Sequence, residues 1–335
     1  MPTSLLLFEL PPPMPQASSS PLSPGVRPLE ELVAVARGYF ADRRAQSTRR
    51  AYETDFRNFE AWCAAHGLPS LPAAPPTVAV YLAALADAGK RPSTVERALC
   101  AIASEHRWTD APWERASPTI VQVMRGIRRR HASEPTPRKA ALSDEDLERL
   151  VGTTGEGRVG LRDRAVLTLG WMGAFRRGEL VALRVEDVTR TRDGLVVRVN
   201  RSKSDQEGRG AEKGLPYASR PSVCPVRALE DWLAVAGISS GPIFRGVDRF
   251  GRIGEAALSD RSVARIVQRA AAAAGLDPST VAGHSLRAGF ATTAARKGKG
   301  LDAIMRQTLH RSERVARTYI RVAGLFEHNA AVGLV

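Results

Sequence analysis

The sequence predicts a mainly α-helical protein of two domains, an N-terminal helical bundle and a C-terminal mixed α+β domain with one small antiparallel sheet. Three observations predict it. Apolar residues recur at three- and four-residue spacing almost throughout Pro28 to His131. The period falls to two around Leu195-Val196-Val197-Arg198-Val199 and becomes helical again afterwards. A basic, proline-interrupted stretch separates the two regions, and 335 residues suit two domains rather than one.

Residues 1–27 are expected to be a disordered leader, because Pro11 to Arg27 is rich in Pro and Ser and nearly uncharged. Its apolar run, Leu5 to Phe8, is stopped by Glu9 and three prolines, too early for a secretory signal. The first domain spans 28–131. Leu29, Leu32, Val33 and Val35 open one helix, and Thr48 to His66 forms a longer one with Tyr52, Phe56, Phe59 and Trp62 on its apolar side. Pro75-Pro76 reads as a break before a helix over Val78 to Leu85. Ser93 precedes a helix through Val95, Leu99, Ile102 and Trp108, and a last one carries Ile120, Val121, Val123, Met124 and Ile127. Arg125, Arg128, Arg129, Arg130, Arg138 and Lys139, with Pro135 and Pro137 between them, make 132–142 a basic linker, either a solvated hinge or a phosphate contact.

The second domain, 143–321, opens at Ser143, which stands in capping-box spacing with Asp146. Helices are expected at Asp144 to Val151, at Leu161 to Ala174 and after Arg177. Short strands follow at Arg184 to Thr189, Leu195 to Val199 and Leu215 to Tyr217, the first two joined by the turn Arg192-Asp193-Gly194. Helices resume at Pro225 to Val235, Ser262 to Ala274, Leu286 to Lys297, Leu301 to Leu309 and Glu313 to Ile320. Apolar residues at helical spacing continue through the tail, 322–335.

Composition narrows the function classes. Lys and Arg number 49 against 35 Asp and Glu, a net charge of +14, which favours a polyanionic partner, nucleic acid before membrane. Three separated cysteines argue against a disulfide scaffold and a structural zinc site. The longest charge-free apolar run, Ala165 to Phe175, is short of the ~20 residues that span a bilayer. The chain reads as soluble and cytoplasmic.

Three segments carry chemistry. In Gly283-His284-Ser285-Leu286-Arg287 the His and Arg lie on one side of a helix start, where free N–H groups favour an anionic oxygen. Taken alone, the segment reads more readily as a capping histidine beside a surface arginine. In Gly173-Ala174-Phe175-Arg176-Arg177-Gly178-Glu179-Leu180 two arginines sit in a turn between apolar helices, and Glu179 is their internal partner or a support for a substrate clamp. Leu309-His310-Arg311 precedes Tyr319, a phenol among Arg317 and Arg321; cations there stabilise the charge a phenol develops as a nucleophile. Alone, that tyrosine is an ordinary amphipathic one.

Together and in this order the segments resemble the tyrosine recombinase (phage-integrase-like) family, of the simple two-domain Xer/Cre-like type. Its pattern falls on Arg176, with Glu179 supporting it, then His284, Arg287, His310 and the nucleophile Tyr319. The family's hairpin lysine is best placed at Lys203, with Lys213 as the rival. Gly173-Ala174-Phe175-Arg176 stands where Thr-Gly-Leu-Arg is usual, which reads as a change of packing residues only, and Arg177 leaves two candidates for one arginine. The match covers roughly Asp144 to Val335 and extends more loosely to Thr48–His66, which looks like the family's SAM-like core-site-binding domain.

The resemblance implies a site-specific recombinase working through a 3′-phosphotyrosyl intermediate without cofactor or metal, on double-stranded DNA. Arg176, Arg287 and His310 would hold the phosphate, Lys203 protonate the leaving oxygen and His284 assist the phenol. Arg49, Arg50, Arg125, Arg128, Arg129, Arg130, Arg138, Lys139 and Arg201 are the DNA-binding candidates. It also implies a dimer on each site, a tetramer on two, a tail docked on a neighbouring protomer or on its own domain, a nucleoid-associated location and room for an accessory directionality protein. The leader is too short and uncharged for a separate arm-binding domain. The alternatives are a non-catalytic DNA-binding regulator on the same scaffold and a type IB topoisomerase-like enzyme.

Overall fold

The computed structural model describes residues 27–42, 46–132, 139–200 and 210–323, and the chain divides into two compact units, Met1–Thr136 and Pro137–Val335. The expected leader, most of the expected linker and all but the first residues of the tail lie outside the described residues.

The first unit holds α1 (Leu29–Asp42), α2 (Gln46–Ala65), α3 (Pro75–Asp87), α4 (Pro92–Trp108) and α5 (Pro118–Arg130). Proline starts three of these helices. A proline at the first helical position gives up an N–H that has no intrahelical partner anyway. Pro75-Pro76 therefore begins α3 instead of interrupting the chain before it, a correction to the sequence reading. Phe59, Val78, Leu82, Val95, Ile102 and Ile120 form the core, while Leu29 and Tyr39 of α1 stay exposed. His106 is buried in this core, with Nδ1 2.9 Å from the Ile102 carbonyl oxygen and Nε2 accepting the Ala73 N–H at 2.8 Å. Burial keeps its pKa below the usual histidine value.

The second unit begins with α6 (Asp144–Gly152), whose N-terminus is capped by the reciprocal Ser143–Asp146 box. α7 (Arg158–Met172) and α8 (Arg177–Ala182) follow. A 3-10 turn at Val185–Asp187 then leads into β1 (Val188–Thr191), β2 (Gly194–Val199) and β3 (Ala211–Pro216), an antiparallel sheet in the order β1-β2-β3. The inward face of β2 and β3 carries Leu195, Val197, Val199 and Leu215, and Lys213 on the same face. That inward lysine interrupts the apolar alternation, which explains why β3 looks to start at Leu215.

After α9 (Pro225–Ala236), β4 (Arg245–Val247) and β5 (Ile253–Ala257) pair as a second two-stranded sheet, where one sheet was expected. β4 is three residues long and glycines punctuate the hairpin, so no period-two signal marks it. The unit ends with α10 (Asp260–Ala273), α11 (Gly283–Arg296), α12 (Leu301–Thr308) and α13 (Glu313–Ala323).

Residues 139–142, the end of the expected linker, run along this second unit. Ala140 N–H bonds the Thr280 carbonyl at 2.8 Å, and Leu142 is buried in the core beneath α11. Among the described residues no helix is long and apolar enough to cross a membrane.

Candidate active site

The site grows from the end of α7. Gly173 caps that helix, and Ala174 takes a left-handed backbone conformation with φ of 45°. This is a conformation glycine adopts freely and alanine does not. The difference from Thr-Gly-Leu-Arg is thus a backbone matter as well as a packing one, which corrects the sequence reading: the glycine sits one residue early, and alanine takes the strained position. The turn exposes two carbonyls to the interior. The Gly173 oxygen accepts from Lys213 Nζ at 2.7 Å, and the Ala174 oxygen accepts from Arg287 Nη1 at 2.7 Å.

Arg176 follows at the start of α8. Its Nη1 donates to Glu179 Oε1 at 2.5 Å, its backbone N–H to Glu179 Oε2 at 2.9 Å, and its Nη2 reaches the Leu309 carbonyl at 3.5 Å. Arg177 turns away to Asp260, 3.5 Å distant across the surface. Of the two adjacent arginines, Arg176 is the one in the cluster.

α11 brings Arg287, 1% exposed, and His284, at the open rim. One guanidinium nitrogen of Arg287, Nη2, is buried without a hydrogen-bond partner among the described residues. α12 ends in Leu309, again left-handed with φ of 52°, which folds half-buried His310 back toward the cluster. α13 supplies Tyr319, whose ring stacks on His310 at 5.9 Å between centroids and whose hydroxyl lies 3.2 Å from His284 Nε2.

Among the described residues, two guanidinium groups and an ammonium face one carboxylate, Glu179, and that imbalance shifts the pKa values of the cluster. Burial first, then Arg287, Arg176, His284 and Lys213, hold the His310 pKa down at about 3. Burial lowers Lys213 to about 7, with Arg287 and Arg176 adding to the effect and Glu179 opposing it. Burial and Arg176 bring Arg287 down to about 10. His284 is lowered by burial and then by Arg287, Arg176 and Arg177. Each group is poised to gain from an anion placed among them.

Lys203, Arg138 and Arg201 lie outside the described residues, while Lys213, the rival lysine, sits inside the cluster. Of the DNA-binding candidates, Arg50, Arg125, Arg128, Arg129, Arg130 and Lys139 are exposed. Arg128 pairs with Glu96, Arg49 lies 3.8 Å from Glu53, and Lys139 bonds the Ser279 carbonyl. Sequence reasoning missed Thr308, which bonds His310, and Gln307, whose amide bridges the Met172 and Gly214 carbonyls at 2.8 and 3.1 Å. A polar Gln-Thr pair just before Leu309-His310 was the available signal.

The description of the phage integrase family matches residues 140–324, and that of the phage integrase N-terminal SAM-like domain matches residues 37–111. The integrase/recombinase xerD homolog of Selenomonas ruminantium is 39% identical over 304 residues, covering 90% of this chain and 89% of that protein. Recombinase cre of Escherichia phage P1 is 27% identical over 302 residues, covering 84% and 86%. A lambda integrase dimer bound to a COC′ core site superposes with a TM-score of 0.55 at 18% identity, over 87% of this chain and 77% of that one, a likeness of fold.

Proposed function

The chain belongs to the phage integrase family as a tyrosine recombinase of the Xer-like two-domain type, and we propose that it performs site-specific recombination through a phosphotyrosyl intermediate formed on Tyr319. One observation carries this reading: Arg287 is buried with a guanidinium nitrogen unpaired among the described residues, ringed by a second arginine, two imidazoles and a phenol. A buried guanidinium nitrogen left without an acceptor is costly, even though Nη1 of the same group bonds the Ala174 carbonyl. A DNA phosphate supplies the acceptor and also gives the phenol a phosphorus to attack.

In this mechanism Arg176 and Arg287 hold the non-bridging oxygens with forked donors, and His310 adds a third contact. Glu179 keeps Arg176 in place. The Tyr319 oxygen attacks phosphorus, the bond to the 5′-oxygen breaks, and a 3′-phosphotyrosyl ester forms. The phenol proton passes to His284, and Lys203 gives a proton to the departing 5′-oxygen. A 5′-hydroxyl from the exchanged strand then attacks the ester and restores the tyrosine, so the ester count is unchanged and no ATP is consumed.

Residues 28–131 would grip the core site and 143–321 perform the chemistry. Arg49, Arg50, Arg125, Arg128, Arg129, Arg130, Arg138, Lys139 and Arg201 would contact the DNA backbone. A dimer on each site and a tetramer on two, linked by 322–335, complete the proposal; the dimer of lambda integrase on its core site supports the first part.

The test uses a duplex selected by binding from random DNA and nicked beside the cleavage point so that religation fails. Wild-type protein accumulates a covalent adduct; Tyr319→Phe binds the duplex equally and forms none. Adduct in the variant contradicts the assignment.

A further inference from the structure

Thr308 closes α12 beside the cluster and is fully buried. Its hydroxyl oxygen lies 2.7 Å from the carbonyl oxygen of Ile304, one turn back, and 2.9 Å from Nδ1 of His310. A hydroxyl has one proton, and the carbonyl can only accept, so that proton goes to Ile304. The imidazole therefore meets the hydroxyl's lone pairs, and Nδ1 is the nitrogen that must carry hydrogen. The left-handed turn at Leu309 makes the contact, because it folds His310 back over the end of its own helix. The His310 N–H to the Met305 carbonyl at 3.3 Å and Arg176 at the Leu309 carbonyl hold that turn.

We propose that Thr308 is a positioning residue that selects the His310 tautomer protonated on Nδ1, so that Nε2 of the neutral ring presents a lone pair and donates to a phosphate oxygen only after the ring gains a proton. This rests on the reading of His310 as a phosphate contact. The opposite tautomer would set the Nδ1 lone pair against the hydroxyl's lone pairs in a buried place, which is repulsive and leaves both without a donor.

The groups around the ring are Arg287 and His284 from α11, Arg176 from the turn before α8, Lys213 from β3 and Tyr319 from α13. With burial, the cations among them keep the ring neutral at pH 7 in the free protein. A phosphate diester arriving among them brings negative charge and raises the affinity of Nε2 for a proton. Docking of the scissile phosphate is thus coupled to proton uptake, and it weakens as pH rises.

Histidine-tautomer spectroscopy on the full chain tests this without DNA. The protein carries six histidines, labelled with ¹⁵N, and the His310 signals are assigned by their loss in His310→Gln. At pH 7 the wild type should show hydrogen on Nδ1 and a pyridine-like Nε2. Thr308→Val should shift His310 toward the Nε2–H form, and Thr308→Ser should restore the wild-type pattern. Hydrogen on Nε2 in the wild type, or an unchanged spectrum in a folded Thr308→Val, overturns the proposal. If the valine variant does not fold, the wild-type spectrum alone decides. Adduct formation at Tyr319 is scored separately, so failure of the tautomer assignment and failure of the recombinase mechanism are distinct results.

Discussion

A lysine on the inward face of a strand loses its hydration, and Lys213 offsets that loss by donating to the carbonyl of Gly173. The same bond, with that of Arg287 to Ala174, ties the turn that delivers Arg176. In the proposed mechanism Lys213 acts on the site through Arg176, whereas Lys203 gives the proton to the leaving oxygen. Sulfur in place of the 5′-oxygen separates the two roles, since a thiolate departs without protonation. Lys203→Ala should lose about 10²–10³ in cleavage rate on the natural ester and recover most of it on the sulfur-containing one. Lys213→Ala should be impaired on both. Recovery in Lys213→Ala instead would transfer the proton role to it. Arg176 and Arg177 teach a related lesson. Adjacent in sequence and chemically alike, they are told apart only by what the turn sets before them, Glu179 for one and Asp260 for the other.

Elements position these side chains through close backbone approach, most tightly at α11. A β-carbon at Gly289 would fall 1.8 Å from the Leu142 carbonyl oxygen and 2.9 Å from Trp171 Nε1, two atoms that already bond each other at 2.9 Å. Glycine there lets α11 lie against the 139–142 segment and α7, and so sets the depth of Arg287 and His284. Gly289→Ala should destabilise the protein by about 1–3 kcal/mol, read as a lower urea midpoint, and reduce adduct formation more than DNA binding. An unchanged midpoint would show that α11 is not seated by this contact. Most helices were legible in the sequence because their signals are local: the Ser143–Asp146 box and the apolar stripe of α2, whereas α4 starts at Pro92 with Ser93 already inside it. The β4–β5 hairpin was not, being short and glycine-rich. The Ala174 and Leu309 turns were hidden for another reason: neither residue type announces a left-handed backbone, which tertiary bonds to their carbonyls support.

At the scale of the whole molecule, the proposed chemistry draws on residues spread over the chain from Arg176 to Tyr319. The order Arg176, Glu179, His284, Arg287, His310, Tyr319 could be read from sequence because each residue lies in a local motif. Their common electrostatic frame could not, since the depression of His310 and Lys213 arises only when α11, β3 and the α7–α8 turn meet. The surplus charge of +14 spreads well beyond this cluster, consistent with a DNA backbone as the partner. The account depends most on which atom becomes joined to DNA. Wild-type protein trapped on the nicked duplex, digested with trypsin and nuclease and sequenced by mass spectrometry, reads that atom directly. The nucleotide 3′-phosphate should be found on the Tyr319 oxygen, in the four-residue peptide Thr318 to Arg321. A phosphate on any other side chain, or strand cleavage that leaves no DNA on the protein, would contradict it.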